Sequence, residues 1–95
     1  MMSNSAIGGS WKEWEKAHFT PEEIAESDLR VALIGELIEA RQERGITQQQ
    51  LEKLSGVRQP VIARLERGTS VPSISTLIKL LTPMGKKLAI VPLDY

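Results

Sequence analysis

Cysteine is absent from the 95 residues, and the chain has one histidine, His18. Without cysteine there are no disulfides, thiolate metal sites or cysteine nucleophiles. A single imidazole without an organised carboxylate pair gives no basis for metal binding or acid–base chemistry. Glycine loops that cradle phosphate and metalloprotease motifs are also missing. We therefore expect no enzyme, no metal and no cofactor.

Long hydrophobic runs are missing as well. No apolar run approaches the ~20 residues of a membrane span, and the first residues lack the apolar region of a signal peptide. Together with the lack of cysteine, these absences predict a cytoplasmic protein without a membrane partner. Hydrophobic residues make up 41% and charged residues 25%, as in ordinary globular domains. The length favours one domain with an arm.

Net charge is zero, but the charges are unevenly distributed. Residues 1–27 carry two basic and five acidic side chains, whereas residues 58–87 carry six basic and one acidic. This pattern indicates an acidic arm that precedes a basic second half.

The arm, residues 1–27, is predicted to contain short helices. Residues 1–9 are small and polar and are expected to be irregular. Thr20 precedes a proline, and Glu23 follows it by three residues, which is the spacing of a capping box. A short helix is therefore expected over Pro21–Glu26.

The next helix is predicted to begin at Ser27 or Asp28 and to run to about Arg44. Its apolar residues recur every three to four positions, which is typical of an amphipathic helix. Gly45 follows as a left-handed C-terminal residue.

Two short helices come next, separated by the three residues of Ser55-Gly56-Val57. Thr47 is expected to cap the first, Gln48 to about Leu54. The second covers the letters PVIARLER and ends at Gly68. After a loop, Ser73 or Ser75 is expected to cap a last helix that runs to Leu81.

The tail, residues 86–95, has a different character. Leu88, Ile90 and Val91 form a run with β propensity, and Pro92 within it favours an edge strand. A lone strand needs a partner, and a second copy of the chain would supply one. The sequence thus predicts an all-α fold of five to six helices with a short C-terminal strand that forms a homodimer.

The two short helices match the helix-turn-helix pattern, in which the second helix lies in the major groove of DNA. Arginine can pair with guanine and glutamine with adenine through two hydrogen bonds. The start of the second helix is also expected to offer free amides to phosphate. The candidate contacts on this helix are Arg58, Gln59, Arg64 and Arg67.

Roughly Ile34–Met84 resembles the Cro/cI-type (XRE) helix-turn-helix family, in the segments GITQQQLEKLSGV, RQPVIARLERG and VPSISTLIKLL. The resemblance implies a lambda-repressor-like DNA-binding domain over residues 28–85. The letters QPVIAR, in a short chain with a predicted final strand, look most like the HigA-like antitoxins. That resemblance implies repression of the chain's own operator DNA and sequestration of a RelE/HigB-like toxin that cleaves mRNA.

The resemblance also assigns roles to single residues. Gln48 matches a position that bonds phosphate or supports a neighbouring glutamine. Val61 could touch a thymine methyl, and Thr69 lies where the family's loop meets the DNA backbone. Glu66 matches a position that makes an internal bond.

Two residues depart from the family pattern. Glu52 replaces a small residue at a close helix approach, so it must turn outward or find a basic partner. Arg58 replaces a serine cap, whose loss could cost ~1 kcal/mol.

Most of the aromatic side chains lie in the arm, as Trp11, Trp14 and Phe19. They either fold back onto the domain or anchor a partner protein, since large aromatics dominate such interfaces. A basic ribonuclease toxin would suit this acidic arm.

Two alternatives remain at this point. The chain could be a stand-alone prophage-type repressor without a toxin. It could also be a protein-interaction module that has lost DNA binding, which the zero net charge and Glu52 favour.

Overall fold

The computed structural model describes the backbone of residues 4–93 and the side chains of residues 11–93. The prediction of an all-helical fold is confirmed for this range. None of its helices has the length and apolar character that a membrane span needs. The helices are α1 Asn4–His18, α2 Pro21–Glu43, α3 Gln48–Ser55, α4 Gln59–Glu66 and α5 Ile74–Leu81, followed by a 3₁₀ turn at Thr82–Met84.

The chain divides into two compact units, Met1–Val31 and Ala32–Tyr95. The first contains α1 and the beginning of α2. The second contains the rest of α2 together with α3, α4 and α5.

In the first unit, α1 begins at Asn4, so the prediction of an irregular segment is wrong for residues 4–9. Residues 1–3 lie outside the described residues. Glycine lowers helix stability by about 1 kcal/mol but does not end a helix, and an existing helix extends cooperatively. The capping box at the start of α2 is confirmed, because Thr20 and Glu23 exchange backbone-to-side-chain hydrogen bonds of 2.8 and 3.1 Å.

The predicted break at Ser27 or Asp28 does not occur, and α2 is continuous from Pro21 to Glu43. Serine and aspartate favour caps, but neither prevents helical backbone geometry. An ion pair of 3.0 Å between Glu26 and Arg30 spans this point along the helix. The stretch therefore continues one helix instead of starting another.

The core of the second unit is formed by α2, α3, α4, α5 and the 3₁₀ turn. Leu51, Ile62, Leu80 and Met84 are the most deeply buried side chains. The remaining buried residues are Leu37, Ala40, Val57, Leu65, Leu77 and Leu81.

The predicted helix ends of this unit are confirmed. Gly45 and Gly56 both adopt left-handed backbone conformations, with φ of 65° and 79°. The hydroxyls of Thr47 and Ser73 each accept a hydrogen bond from an amide in the first turn of the helix that follows.

The predicted C-terminal strand is absent from the described part of the tail, residues 86–93. A strand is stabilised by hydrogen bonds to a neighbouring strand, and the described residues contain no strand that could pair with the tail. Ile90 is fully exposed and Val91 largely so. The single chain thus forms no strand over residues 86–93, and pairing of this segment with a second copy stays a prediction.

Candidate nucleic-acid interface

The turn between α3 and α4 holds the two helices close together. Gly56 ends α3 in the left-handed conformation, and its amide donates to the carbonyl of Glu52. The next residue, Val57, is buried in the core, and its amide donates to the Ser55 hydroxyl at 3.0 Å. The short turn is thus fixed by backbone geometry and by one core side chain.

Glu66, at the end of α4, joins α2, α3 and α4. Arg41 donates to both of its carboxylate oxygens, at 2.7 and 2.8 Å. Gln48 donates to one of the same oxygens at 2.9 Å. The resemblance gave Glu66 an internal bond, and the structure supplies these two partners.

Burial tends to raise the pKa of Glu66, but the hydrogen bonds from Arg41 and Gln48, with the Arg41 charge, outweigh this effect and hold the pKa below its ordinary value. The pKa of Arg41 is raised, chiefly by its hydrogen bond to Glu66 and against the opposing effect of burial. Both groups are therefore charged at neutral pH. Their paired geometry is of the strong, bidentate kind.

Gln48 continues this network to the first residue of α4. Its side-chain oxygen accepts a hydrogen bond of 2.7 Å from the Gln59 side chain. Gln59 is half-buried, and its amide oxygen makes no hydrogen bond within the described residues. The side chain is thus held at one atom and retains hydrogen-bonding capacity for a base edge.

Three arginines lie on α4 or directly beside its ends. Arg58, Arg64 and Arg67 are exposed, and none forms an ion pair within the described residues. Arg64 and Arg67 share one face of the helix with Pro60 and Ala63, because the four positions are spaced by three and four residues. The guanidinium groups on this face can donate hydrogen bonds either to phosphates or to base edges.

Pro60 and Ala63 were missed by the sequence reasoning. Counting back from Arg67 and Arg64 in steps of three or four residues would have found them. Ala63 is only partly exposed, and its methyl group has the size and chemistry to meet a thymine methyl.

Two other candidates, Val61 and Thr69, already have contacts within the described part of the chain. Val61 is partly buried and packs against the core, so part of its side chain is already covered. The Thr69 hydroxyl donates to the Arg64 carbonyl at 3.1 Å, and its amide donates to the same carbonyl at 3.0 Å. Thr69 therefore caps the end of α4, and its hydroxyl proton is already engaged.

The start of α4 corrects the expectation of free amides. Glu52 accepts a hydrogen bond of 3.0 Å from the Gln59 amide. Pro60 has no amide proton, and the Val61 amide donates to the Arg58 carbonyl at 2.9 Å. None of the three is open to phosphate.

This contact also resolves the two departures from the family pattern. The Arg58 side chain makes no capping bond, and the Glu52 carboxylate supplies one from the preceding helix. Glu52 thus finds a backbone amide as its partner and not a basic side chain.

Within the first unit, the aromatic side chains of the arm form an exposed cluster. The rings of Trp11 and Trp14 stack at 5.4 Å, and Phe19 meets Trp14 edge-on at 5.8 Å. His18 also stacks on Trp14, at 4.1 Å. Between 43 and 60% of each of the two tryptophans and Phe19 is exposed.

Carboxylates lie next to this cluster. A cleft of about 260 Å³ beside Phe19 is lined by Glu15, Glu23 and Glu26 together with Arg30. The first unit thus combines exposed aromatic rings with negative charge.

Comparison with known proteins gives consistent results. The family described as "Helix-turn-helix" matches residues 37–91. A protein of Haemophilus influenzae named "Uncharacterized HTH-type transcriptional regulator" is 60% identical over 89 residues, which are 94% of this chain and 91% of that protein. A regulator of the same type from Sinorhizobium fredii is 34% identical over 58 residues, 61% of this chain and 75% of that protein.

A solved structure is also similar. One chain of a "Toxin-Antitoxin module from Streptococcus pneumoniae" is 56% identical, with a TM-score of 0.73. The match covers 95% of this chain and 100% of that chain. From its matched motif and its relatives, the chain belongs to the XRE-type helix-turn-helix family.

Proposed function

We propose that this protein is a HigA-like antitoxin that represses its own operon and neutralises a partner toxin by direct binding. The observation that carries the first part is the exposed face of α4. It presents Arg64 and Arg67, which have no ion-pair partner among the described residues, beside a Gln59 side chain held in place by Gln48. Such an arrangement suits base reading in the major groove.

Binding to DNA is tested with a duplex from upstream of the chain's own reading frame and with a shuffled duplex of equal composition. We expect tighter binding to the upstream duplex in a gel shift at moderate salt. Gln59→Ala should reduce this preference, whereas Gln49→Ala, a neighbouring glutamine that enters no side-chain hydrogen bond of the network, should not. Equal binding to both duplexes would favour a protein-interaction module that has lost sequence recognition.

A homodimer forms part of this proposal, because one recognition helix makes few contacts and helix-turn-helix dimers read half-sites about 34 Å apart. The exposed apolar side chains of Leu88, Ile90 and Val91 are the proposed dimer contacts, with the strand forming only when two tails meet. Ile90→Asp should yield monomers in sedimentation, and Val71→Asp, another exposed apolar position, should not. If Val71→Asp yields monomers and Ile90→Asp does not, the dimer interface lies outside the tail.

The similarity to a chain of a toxin–antitoxin module supports the second part of the proposal. The aromatic cluster of Trp11, Trp14 and Phe19 is the proposed toxin-binding surface, since exposed tryptophans dominate binding energy at interfaces. The neighbouring carboxylates favour a basic partner. A ribonuclease that cleaves mRNA, of the RelE/HigB-like class, has to be basic to bind its substrate.

Co-purification with the product of the neighbouring reading frame tests this binding. Trp14→Ala should weaken the complex at least tenfold, because hot-spot truncations cost about 2 kcal/mol or more. Leu29→Ala removes an exposed apolar side chain of the same unit and should leave the complex intact. The absence of any co-purifying small basic protein would favour a stand-alone repressor.

A further inference from the structure

Glu52 has a position that no other carboxylate of the described second unit shares. It lies on α3, is half-buried, and accepts a hydrogen bond from the backbone of α4 at Gln59. The residue at the N-terminal cap position of α4, Arg58, makes no side-chain capping bond. The cap of the recognition helix is therefore supplied by the other helix of the motif.

This carboxylate completes the closure of the α4 start. A helix start usually carries a partial positive charge and open amides, and it binds anions for that reason. The partial charge is about half an elementary charge, so a full negative charge on Glu52 more than offsets it. With Pro60 and the bonded Val61 amide, none of the first three residues of α4 offers a backbone donor to a phosphate.

An open helix start would also affect recognition. Amides bind the phosphate of any sequence, so a helix held by such a contact is stabilised on DNA without meeting its bases. When α4 instead lies with Gln59 at a base edge, its contacts depend on the sequence. A carboxylate at the start of α4 thus weakens phosphate binding by the helix start more than it weakens base reading by Gln59.

Glu52 also fixes the position of the reading side chain. Its bond holds the backbone of Gln59, while Gln48 holds the side chain of the same residue. Both partners belong to α3, so Gln59 is held at two atoms by one rigid element. Loss of the Glu52 bond would release the backbone end of this pair.

We propose that Glu52 determines specificity: its carboxylate closes the start of the recognition helix to phosphate and so restricts binding to sequences that Gln59 can read. This inference rests on the proposed binding to operator DNA. It distinguishes two contributions of Glu52, a hydrogen-bond acceptor and a negative charge. Two substitutions separate them.

Glu52→Gln keeps an acceptor for the Gln59 amide and removes the charge, whereas Glu52→Ala removes both. Glu39→Gln, on the exposed side of α2, makes the same change in net charge and is the control. Each protein is titrated with the upstream duplex and the shuffled duplex over a salt series. Thermal unfolding and the NMR signal of the Gln59 amide show whether the start of α4 is retained.

We expect Glu52→Gln to bind the shuffled duplex about five-fold more tightly. The fall of its affinity with rising salt should become steeper by the equivalent of about one released counterion. Its affinity for the upstream duplex should increase less, so the ratio of upstream affinity to shuffled affinity falls. Glu52→Ala should shift the Gln59 amide signal and also weaken binding to the upstream duplex.

An unchanged affinity ratio in Glu52→Gln, or the same change in Glu39→Gln, would overturn the role of Glu52 while leaving operator binding intact. A wild-type protein without preference for the upstream duplex would overturn the proposed DNA-binding function and this inference with it. The wild-type titration alone distinguishes the two failures.

Discussion

The two helices of the motif begin in different ways. At the start of α3, Thr47 and Gln50 form a reciprocal capping box within the helix itself. The amides of Gln48 and Gln49 find no hydrogen-bond partner among the described residues. This start keeps the open amides and the partial positive charge that favour an anion.

The start of α4 is closed by a residue from outside the helix. Glu52 takes the first amide, Pro60 removes the next, and the Val61 amide turns back to Arg58. Positive charge at this end comes from the Arg58 guanidinium and not from the backbone.

On the proposed DNA-binding function, this difference predicts a division of work between the two helix starts. A backbone amide binds phosphate whatever the sequence, whereas a side chain such as Gln59 discriminates between bases. The structure leaves amides open in the first turn of α3 and closes those of the first residues of α4. The following predictions test that division.

The largest effect is expected at Glu66, which joins the end of α4 to α2 and to the start of α3. Glu66→Gln leaves Arg41 without a charged partner and weakens the hold on Gln48. We expect the free energy of unfolding to fall by about 2–3 kcal/mol at neutral pH, since hydrogen bonds to charged groups are the strong ones. Urea unfolding measures this, and a loss no larger than that of Glu39→Gln would contradict it.

The same pair predicts a dependence on pH. Because folding lowers the pKa of Glu66 from its ordinary value of 4.5, the stability it contributes is fully present above that value. It is lost as the pH falls through the lower, folded-state pKa. The difference in stability between wild type and Glu66→Gln should therefore shrink below pH 4.5, and a constant difference down to pH 3 would count against the ion pair.

Arg64 tests the reading face of α4. Arg64→Ala should weaken operator binding by about 1–3 kcal/mol and relax the preference at one base pair. A uniform loss over all sequences, with a shallower salt dependence, would make Arg64 a phosphate contact. Lys79→Ala removes an exposed cation from α5 as the control, and an Arg64 variant that binds like this control would exclude both roles.

Thr47 tests the cap that α3 supplies for itself. Thr47→Ala should lower the free energy of unfolding by about 1 kcal/mol, the usual value of a hydroxyl cap. Ser73→Ala, which removes the equivalent cap of α5, should have a similar effect. If the Thr47 variant were as stable as wild type, the capping box would not contribute as the structure suggests.

Arg58 should give the smallest change in stability. Because its side chain caps nothing, Arg58→Ala should alter the free energy of unfolding by less than about 0.5 kcal/mol. The salt dependence of DNA binding by Arg58→Ala should nevertheless decrease by the equivalent of about one phosphate contact. A loss of stability as large as that of Thr47→Ala would show that Arg58 does cap α4.

Local signals in the sequence predicted much of the second unit. Gly45 and Gly56 mark helix ends because their left-handed conformations suit glycine. Thr47 and Ser73 mark helix starts because a hydroxyl beside the first turn satisfies an amide. Such signals depend only on neighbouring residues, so they can be read without the fold.

Apolar spacing was a weaker guide than these signals. Leu54, Ile74 and Ile78 fit helical patterns, yet each is more than half exposed. Met84 and Val57 lie outside the predicted helices, yet both are buried. Periodicity identifies an apolar face, but burial depends on which elements pack against it.

The sequence by itself determined the helical class, the ends of the short helices and the motif that places Arg64 and Gln59 on a recognition helix. Only the tertiary structure decided the partners of Glu52 and Glu66. Arg41 lies 25 residues from Glu66, and the Gln59 amide lies on a different helix from Glu52. A carboxylate's partner is set by the distance between atoms in space, and that distance is fixed only when the helices pack.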